Sequence, residues 1–149
     1  MPHVRVTDFI EAPAERVWAA HVDGARIAEW FPGVRSVEEI SGPLDNPGTT
    51  YLLRFNKLLR SRVQVTEVEA PWMHTRRWDA RPFGTHGTAT LLLRSEEGGT
   101  HLDLDVSYGL PLGPLGRLLE GFTFVRRRAA RDIRRELQAF GKFAENHGR

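Results

Sequence analysis

Apolar and polar positions alternate through much of the first 108 residues and recur every three or four residues near the C-terminus. Residues 4–10 alternate loosely (Val4, Val6, then Phe9 and Ile10) and predict a first strand. Ala12-Pro13-Ala14-Glu15 opens a helix, with Pro13 expected at the first helical position, where a missing N–H does no harm. Glu15 suits the positive end of that helix, and Asp23-Gly24 stops it. A second short helix is expected from Ala25 to Phe31, closed by Pro32-Gly33. Six strand candidates follow at 34–41, 49–56, 61–69, 72–80, 86–95 and 100–108, divided by turn-forming stretches such as 42–48, Ala70-Pro71 and Glu96-Glu97-Gly98-Gly99.

The last strand has the clearest pattern. Leu102, Leu104, Val106 and Tyr108 alternate with Asp103, Asp105 and Ser107, so one face is dry and the other wet, as in an antiparallel sheet covered on one side. Residues 114–146 read as one long helix. Leu115, Leu118, Leu119, Phe122, Val125, Ala129, Ile133, Leu137, Phe140 and Ala144 draw a single apolar stripe, and Arg127, Arg128, Arg131, Arg134 and Arg135 fall on the opposite face. That arginine face is read as solvated and partly neutralised by Asp132 and Glu136, since no aromatics are interleaved for stacking on bases. The order is strand, two short helices, six strands, long helix. A sheet of seven strands must cover its apolar face, and the terminal helix is the only large cover, giving an α+β fold in one domain over 1–149.

Composition narrows the chemistry. The 149 residues include no Cys, which removes disulfides, thiolate nucleophiles and Cys-ligated metals. The net charge is only +2, and the excess of bases is concentrated in residues 114–149, with nine bases and four acids. Neither a secretory apolar segment nor a membrane-length apolar run occurs, so the expectation is a cytoplasmic domain. The six His, at 3, 21, 74, 86, 101 and 147, make no ligand-spaced motif, and no metal or cofactor is expected. Asp103 and Asp105 belong to the wet face and read as solvated charges. No nucleophile elbow, phosphate loop or dinucleotide fingerprint is present.

The segment Ile10-Glu11-Ala12-Pro13-Ala14-Glu15-Arg16-Val17-Trp18, with Ile27-Ala28-Glu29-Trp30-Phe31-Pro32-Gly33-Val34-Arg35-Ser36-Val37, resembles the START-like (SRPBCC) superfamily. Gly48-Thr49-Thr50-Tyr51 and Phe124-Val125-Arg126-Arg127-Arg128 followed by Glu136-Leu137 are similar to further segments of its bacterial branch, which includes polyketide cyclases/dehydratases and coenzyme Q-binding proteins. The resemblance implies a helix-grip fold: a seven-stranded curved antiparallel sheet wrapped around the long C-terminal helix, with a ligand cavity between them. Strand phase then assigns lining residues: Tyr51, Leu53 and Phe55; His74, Arg76 and Trp78; Thr88, Thr90 and Leu92; Leu104, Val106 and Tyr108. The long helix would add Leu118, Leu119 and Phe122, and the short one Trp30 and Phe31. For residues 72–80 the opposite phase, with Met73, Thr75 and Arg77 inward, stays open, because a one-residue slip exchanges the two faces. An inward Arg76 or Arg77 would need an anionic partner; an exposed one is the more common outcome. Trp18 reads as core.

For function, the resemblance implies the binding or carriage of a hydrophobic small molecule such as a lipid, quinone or polycyclic aromatic. Two alternatives stay open. One is a polyketide cyclase/aromatase/dehydratase-type enzyme using cavity His74, His86, Tyr51, Tyr108 and Arg, and the other is a protein-interaction or structural domain. No nucleic-acid partner is expected, and the chain would be a monomer or a homodimer. The connector Gly109-Leu110-Pro111-Leu112-Gly113-Pro114-Leu115-Gly116 admits two readings, a plug on the end of the core or an apolar lip that opens for ligand or touches membrane.

Overall fold

The computed structural model describes residues 3–82, 84–110 and 123–147, with residues 123–126 described in backbone only. Seven strands form one antiparallel sheet: β1 (His3–Ile10), β2 (Ser36–Glu38), β3 (Thr50–Arg54), β4 (Arg60–Glu69), β5 (Met73–Arg81), β6 (His86–Glu96) and β7 (Gly99–Gly109). Their spatial order is β1-β7-β6-β5-β4-β3-β2. Strands β2 to β7 thus form a meander of hairpins, and β1 closes the β7 edge. Helix α1 (Ala14–His21), a short 3₁₀ turn (Gly24–Arg26) and α2 (Ile27–Trp30) link β1 to β2, and α3 (Thr123–Asn146) ends the chain. This is the expected helix-grip α+β arrangement. The predicted start of the long helix, 114–122, lies outside the described residues, as do Leu118, Leu119, Phe122 and most of the connector.

The strand expected at 34–41 shrinks to Ser36–Glu38, with Glu39 turning at φ 54, and two helix boundaries differ from expectation for local reasons. Pro13 is the N-cap of α1 rather than its first helical residue, with extended backbone (ψ 152) and its carbonyl accepting from Arg16 and Val17 N–H. The second helix begins as the 3₁₀ turn and continues through only four α-helical residues, because Phe31 returns to extended backbone and Gly33 turns at φ 83. That left-handed position favours glycine. In β4 the register against β5 shifts between Val65 and Glu67, a bulge that bends the strand and carries Val68 rather than Glu67 toward the covered face.

The covered face holds two apolar clusters. One unites Val6 and Ile10 of β1, Leu91 and Leu93 of β6 and Leu102 and Leu104 of β7 with Val17 and Trp18 of α1 and Leu137, Phe140 and Ala144 of α3. The other joins Tyr51 and Leu53, Val63 and Val65 to Ile27, Val34 and Leu44. Trp30 packs against both. The stripe read from the sequence is therefore the buried face of α3 where it is described, although Ile133 is only half-buried at its margin. Thr100, fully buried on β7, donates its hydroxyl to the Ala12 carbonyl at 2.7 Å and so ties the start of α1 to the sheet. Thr100→Val keeps the shape and strands that carbonyl. An expected loss of about 1–3 kcal/mol results, to be read from urea midpoints at constant slope.

Candidate functional site

Strand alternation places His74, Arg76 and Trp78 on the covered face, and Arg77 outside, where its guanidinium donates to Gln64 at 2.7 Å. Tyr51, Leu53, Leu104, Val106 and Tyr108 are buried on the same face, with Phe55 and Phe31 half-buried beside them. The aromatic rings of Phe31 and Phe55 meet edge to face at 6.1 Å. On β6 the expectation fails. Ala89, Leu91 and Leu93 are buried, whereas Thr88 and Leu92 are exposed and Thr90 pairs with Thr75 hydroxyl to hydroxyl at 3.0 Å on the outer side.

The physical reason lies with the neighbours. Gly87 sits in register between Trp78 and Tyr108, and a Cβ there would come 2.2 Å from the Ser107 carbonyl and 2.9 Å from the Trp78 ring. Small residues at 87 and 89 make room for large side chains on adjacent strands, so they belong to the covered face despite their low hydrophobicity. Leu91 and Leu93 share that phase. Two Leu against the one at Leu92 were the available signal.

At the centre of the covered face stands an ion pair. Arg76 reaches across from β5 to Glu136 of α3, Nη2 to Oε2 3.3 Å, with side chains only 11% and 19% exposed. Arg76 is thus inward and paired from within the chain. Glu136, expected on the solvated arginine face, instead turns to the sheet, while Arg127, Arg128, Arg131, Arg134 and Arg135 remain exposed. Asp132 does stay on that outer face, 3.9 Å from Arg128. Burial pushes the Glu136 carboxyl above its usual range, and Arg76 pulls it back only in part. The buried Tyr51 phenol is raised as well, chiefly by burial, with the charges of Arg76 and Glu136 acting on it in opposite senses.

A second polar group was not anticipated. His21 of α1 and His74 of β5 meet at 3.0 Å, Nε2 to Nδ1, both buried, and His74 Nε2 lies 2.7 Å from the Leu44 carbonyl. The carbonyl can only accept, so His74 carries its proton on Nε2, which leaves Nδ1 to accept from His21 Nε2–H. Both imidazoles are held neutral. Burial, then the neighbouring Arg76 charge, lowers the His74 pKa to about 4, and burial, His74 and Arg76 push that of His21 well down. Trp18 and Phe140 pack their rings edge-on around the pair. Both nitrogens of His74 are engaged structurally. His86, the other histidine proposed for chemistry, is exposed and faces away from this region, on the rim of an outer groove of about 580 Å³ lined also by Arg62, Gln64 and Arg77.

Two buried donors remain without partners among the described residues: Arg76 Nη1 and the Trp30 indole Nε1. The Trp30 ring meets that of Phe140 edge to face at 5.0 Å, one helical turn beyond Glu136 on α3. The side chains that carry the two donors therefore contact successive turns of α3 at Glu136 and Phe140. Among the described residues no group of three or more His, Cys, Asp or Glu is arranged to hold a metal ion, and no helix is long and apolar enough to cross a membrane.

Residues 1–145 match the model of the family described as polyketide cyclase/dehydrase and lipid transport. The chain belongs to this family. Solved structures share the fold of this family member at low identity. The Zhui aromatase/cyclase from Streptomyces sp. R1128 is 21% identical, with 99% of this chain and 96% of that one covered at a TM-score of 0.76. Protein BH1534 from Bacillus halodurans is 24% identical over 97% of this chain and 98% of its own, at 0.70. DynU16, from the dynemicin biosynthetic locus, is 22% identical and matches 97% of this chain at 0.72, but the family member spans only 47% of it. No curated protein sequence matches the chain.

Proposed function

We propose that the protein binds or carries an oxygen-bearing hydrophobic small molecule, a polycyclic ketone, quinone or acyl lipid, against the covered face between sheet and α3. The observation that carries this reading is the pair of unpartnered buried donors, Arg76 Nη1 and Trp30 Nε1, set among apolar and aromatic side chains. A buried donor left without an acceptor is costly, and a ligand carbonyl, hydroxyl or carboxylate would satisfy it. An apolar surround with a few fixed polar groups is the usual build of a small-molecule site. Family membership and the fold shared with an aromatase/cyclase support the same reading.

Oxygen is what the donors select. Anthraquinone should therefore bind about tenfold more tightly than anthracene, the hydrocarbon of the same skeleton, one hydrogen bond's worth of preference. Trp30→Phe keeps the ring and removes the indole N–H. In that variant the preference should shrink while anthracene affinity holds, both read by competition against a fluorescent apolar probe. Equal affinity for the two compounds in the wild-type protein would sink the proposal.

A cyclase or dehydratase activity is the second reading, favoured by one feature. Glu136, a carboxyl raised by burial, lies beside a guanidinium and within electrostatic reach of the Tyr51 phenol, so a proton donor and an oxyanion partner share a dry region. His74 and His86 play no part in it, the first being bonded at both nitrogens and the second lying outside. Glu136→Gln, which keeps the shape and a hydrogen-bond acceptor for Arg76, would abolish turnover of a poly-β-ketone substrate while sparing binding.

A further inference from the structure

On the outer face of the sheet, three arginines stand in one cross-strand row: Arg54 of β3 pairs in register with Arg60 of β4, which pairs with Arg81 of β5. Like charges directly opposite one another destabilise a sheet. Two of the three have carboxylate neighbours, Glu38 at 2.5 Å from Arg54 and Asp79 at 3.5 Å from Arg81. Arg60 has none among the described residues. Neither do Lys57, in the adjoining turn, nor Arg35, whose N–H is bonded to the Arg54 carbonyl at 2.8 Å; both are exposed. A local rule is broken here with no compensating gain inside the fold, which points to an anion outside it.

The same end of the sheet carries an apolar point. The turn joining β3 to β4 is closed by Phe55 N–H to the Leu59 carbonyl at 3.0 Å, and Asn56 Oδ1 accepts from both Leu58 and Leu59 N–H at 2.8 Å. This bracing holds Leu58 outward at 72% exposure, well above any other large apolar side chain exposed among the described residues. A loop selected only for solubility would put a polar residue at such a tip. Strand β5 ends and β6 begins at this end, and β7 runs out here into the connector to α3.

We infer that this end of the molecule docks on an anionic lipid surface, with Leu58 entering the boundary between headgroups and acyl chains and Lys57, Arg35, Arg60 and the flanking Arg54 and Arg81 facing the headgroups. An apolar tip ringed by bases matches the two layers of such a surface, apolar inside and anionic outside. An acidic protein or a free polyanion would use the bases and have no use for the tip. Attachment by one Leu and a handful of bases is weak and reversible, as a shuttle between membrane and solution requires. The inference is independent of what the covered face binds, and its test reads no ligand.

Co-sedimentation with phosphatidylcholine vesicles containing phosphatidylglycerol tests it, against vesicles of phosphatidylcholine alone. Binding is expected on the anionic vesicles only and should fall as salt rises. Arg60→Gln should weaken it about fivefold, one basic residue's share near the surface. Leu58→Ser should weaken it several-fold at every salt concentration, and Leu58→Phe should restore it. Both positions are exposed and make no described side-chain contact, so unchanged thermal midpoints serve as the folding control. No sedimentation of the wild-type protein with anionic vesicles at low salt overturns the inference. So does an Arg60→Gln effect with none from Leu58→Ser, which would leave a patch that reads any polyanion.

Discussion

Glu136→Leu is expected to destabilise the protein by about 3–5 kcal/mol, whereas the double variant Glu136→Leu with Arg76→Met should fold nearly as well as the wild type or better. The asymmetry arises from where the pair sits. Arg76 and Glu136 are both largely withdrawn from water and bridge β5 to α3. Removing the carboxylate leaves a buried guanidinium without its anion, with Nη1 already lacking a partner among the described residues. Removing both charges erases the desolvation penalty together with the attraction. Urea unfolding of the wild type and the three variants forms a double-mutant cycle that isolates the coupling. A double-variant loss equal to the sum of the two single losses would show that the two side chains do not interact in solution. The double variant also separates fold from function: it should be stable, yet lose its preference for anthraquinone over anthracene.

Acid should weaken the fold well above the pH at which exposed carboxylates titrate. His74 has a folded pKa of about 4 against an ordinary 6.5, and His21 is shifted in the same direction. A depressed pKa means that below pH 6.5 the unfolded chain binds protons that the folded one refuses, so stability rises with pH through this window and falls as the pH drops. At pH 4 the contribution of His74 alone is a loss of about 3 kcal/mol relative to pH 7, and His21 adds to it. Above pH 7 both states hold neutral imidazoles and the term vanishes. Glu136 works against this trend, since a raised carboxyl pKa contributes stability that is present at low pH and is lost as the pH rises through its folded value. The net slope should still be positive between pH 4 and 6.5, as two buried imidazoles oppose one carboxyl. Replacing the pair, His21→Leu with His74→Met, should flatten the slope whatever it does to absolute stability. A wild-type protein equally stable at pH 4.5 and pH 7 would rule out the buried neutral pair.

Much of the fold was legible because its signals are local. Alternation in 102–108 names the buried face of β7 without reference to any other strand, and spacing along 133–144 names the face of α3 that meets the sheet. Glycine and proline at 42–48, 70–71 and 98–99 mark the reversals that let consecutive strands pair. Periodicity and turn chemistry belong to short windows, and a helix or hairpin needs little else to be recognised. The antiparallel sheet and its helical cover emerge from there, together with the aromatic character of the covered face.

Only the tertiary structure decided which polar groups meet. The phase of β6 differs from expectation because Gly87 is small for the sake of Trp78 and Tyr108, and Ala89 lies opposite Arg76 and Val106, constraints invisible within one strand. Glu136 lies among exposed arginines in the sequence, and what turns it inward is Arg76, sixty positions away. His21 and His74 are separated by 53 positions and share no motif, yet the meeting of the last residue of α1 with β5 closes them into one hydrogen-bonded chain with Leu44. Local spacing reports how a segment divides water from core. Which buried polar atoms satisfy one another depends on contacts between distant segments, and those exist only once the chain has folded.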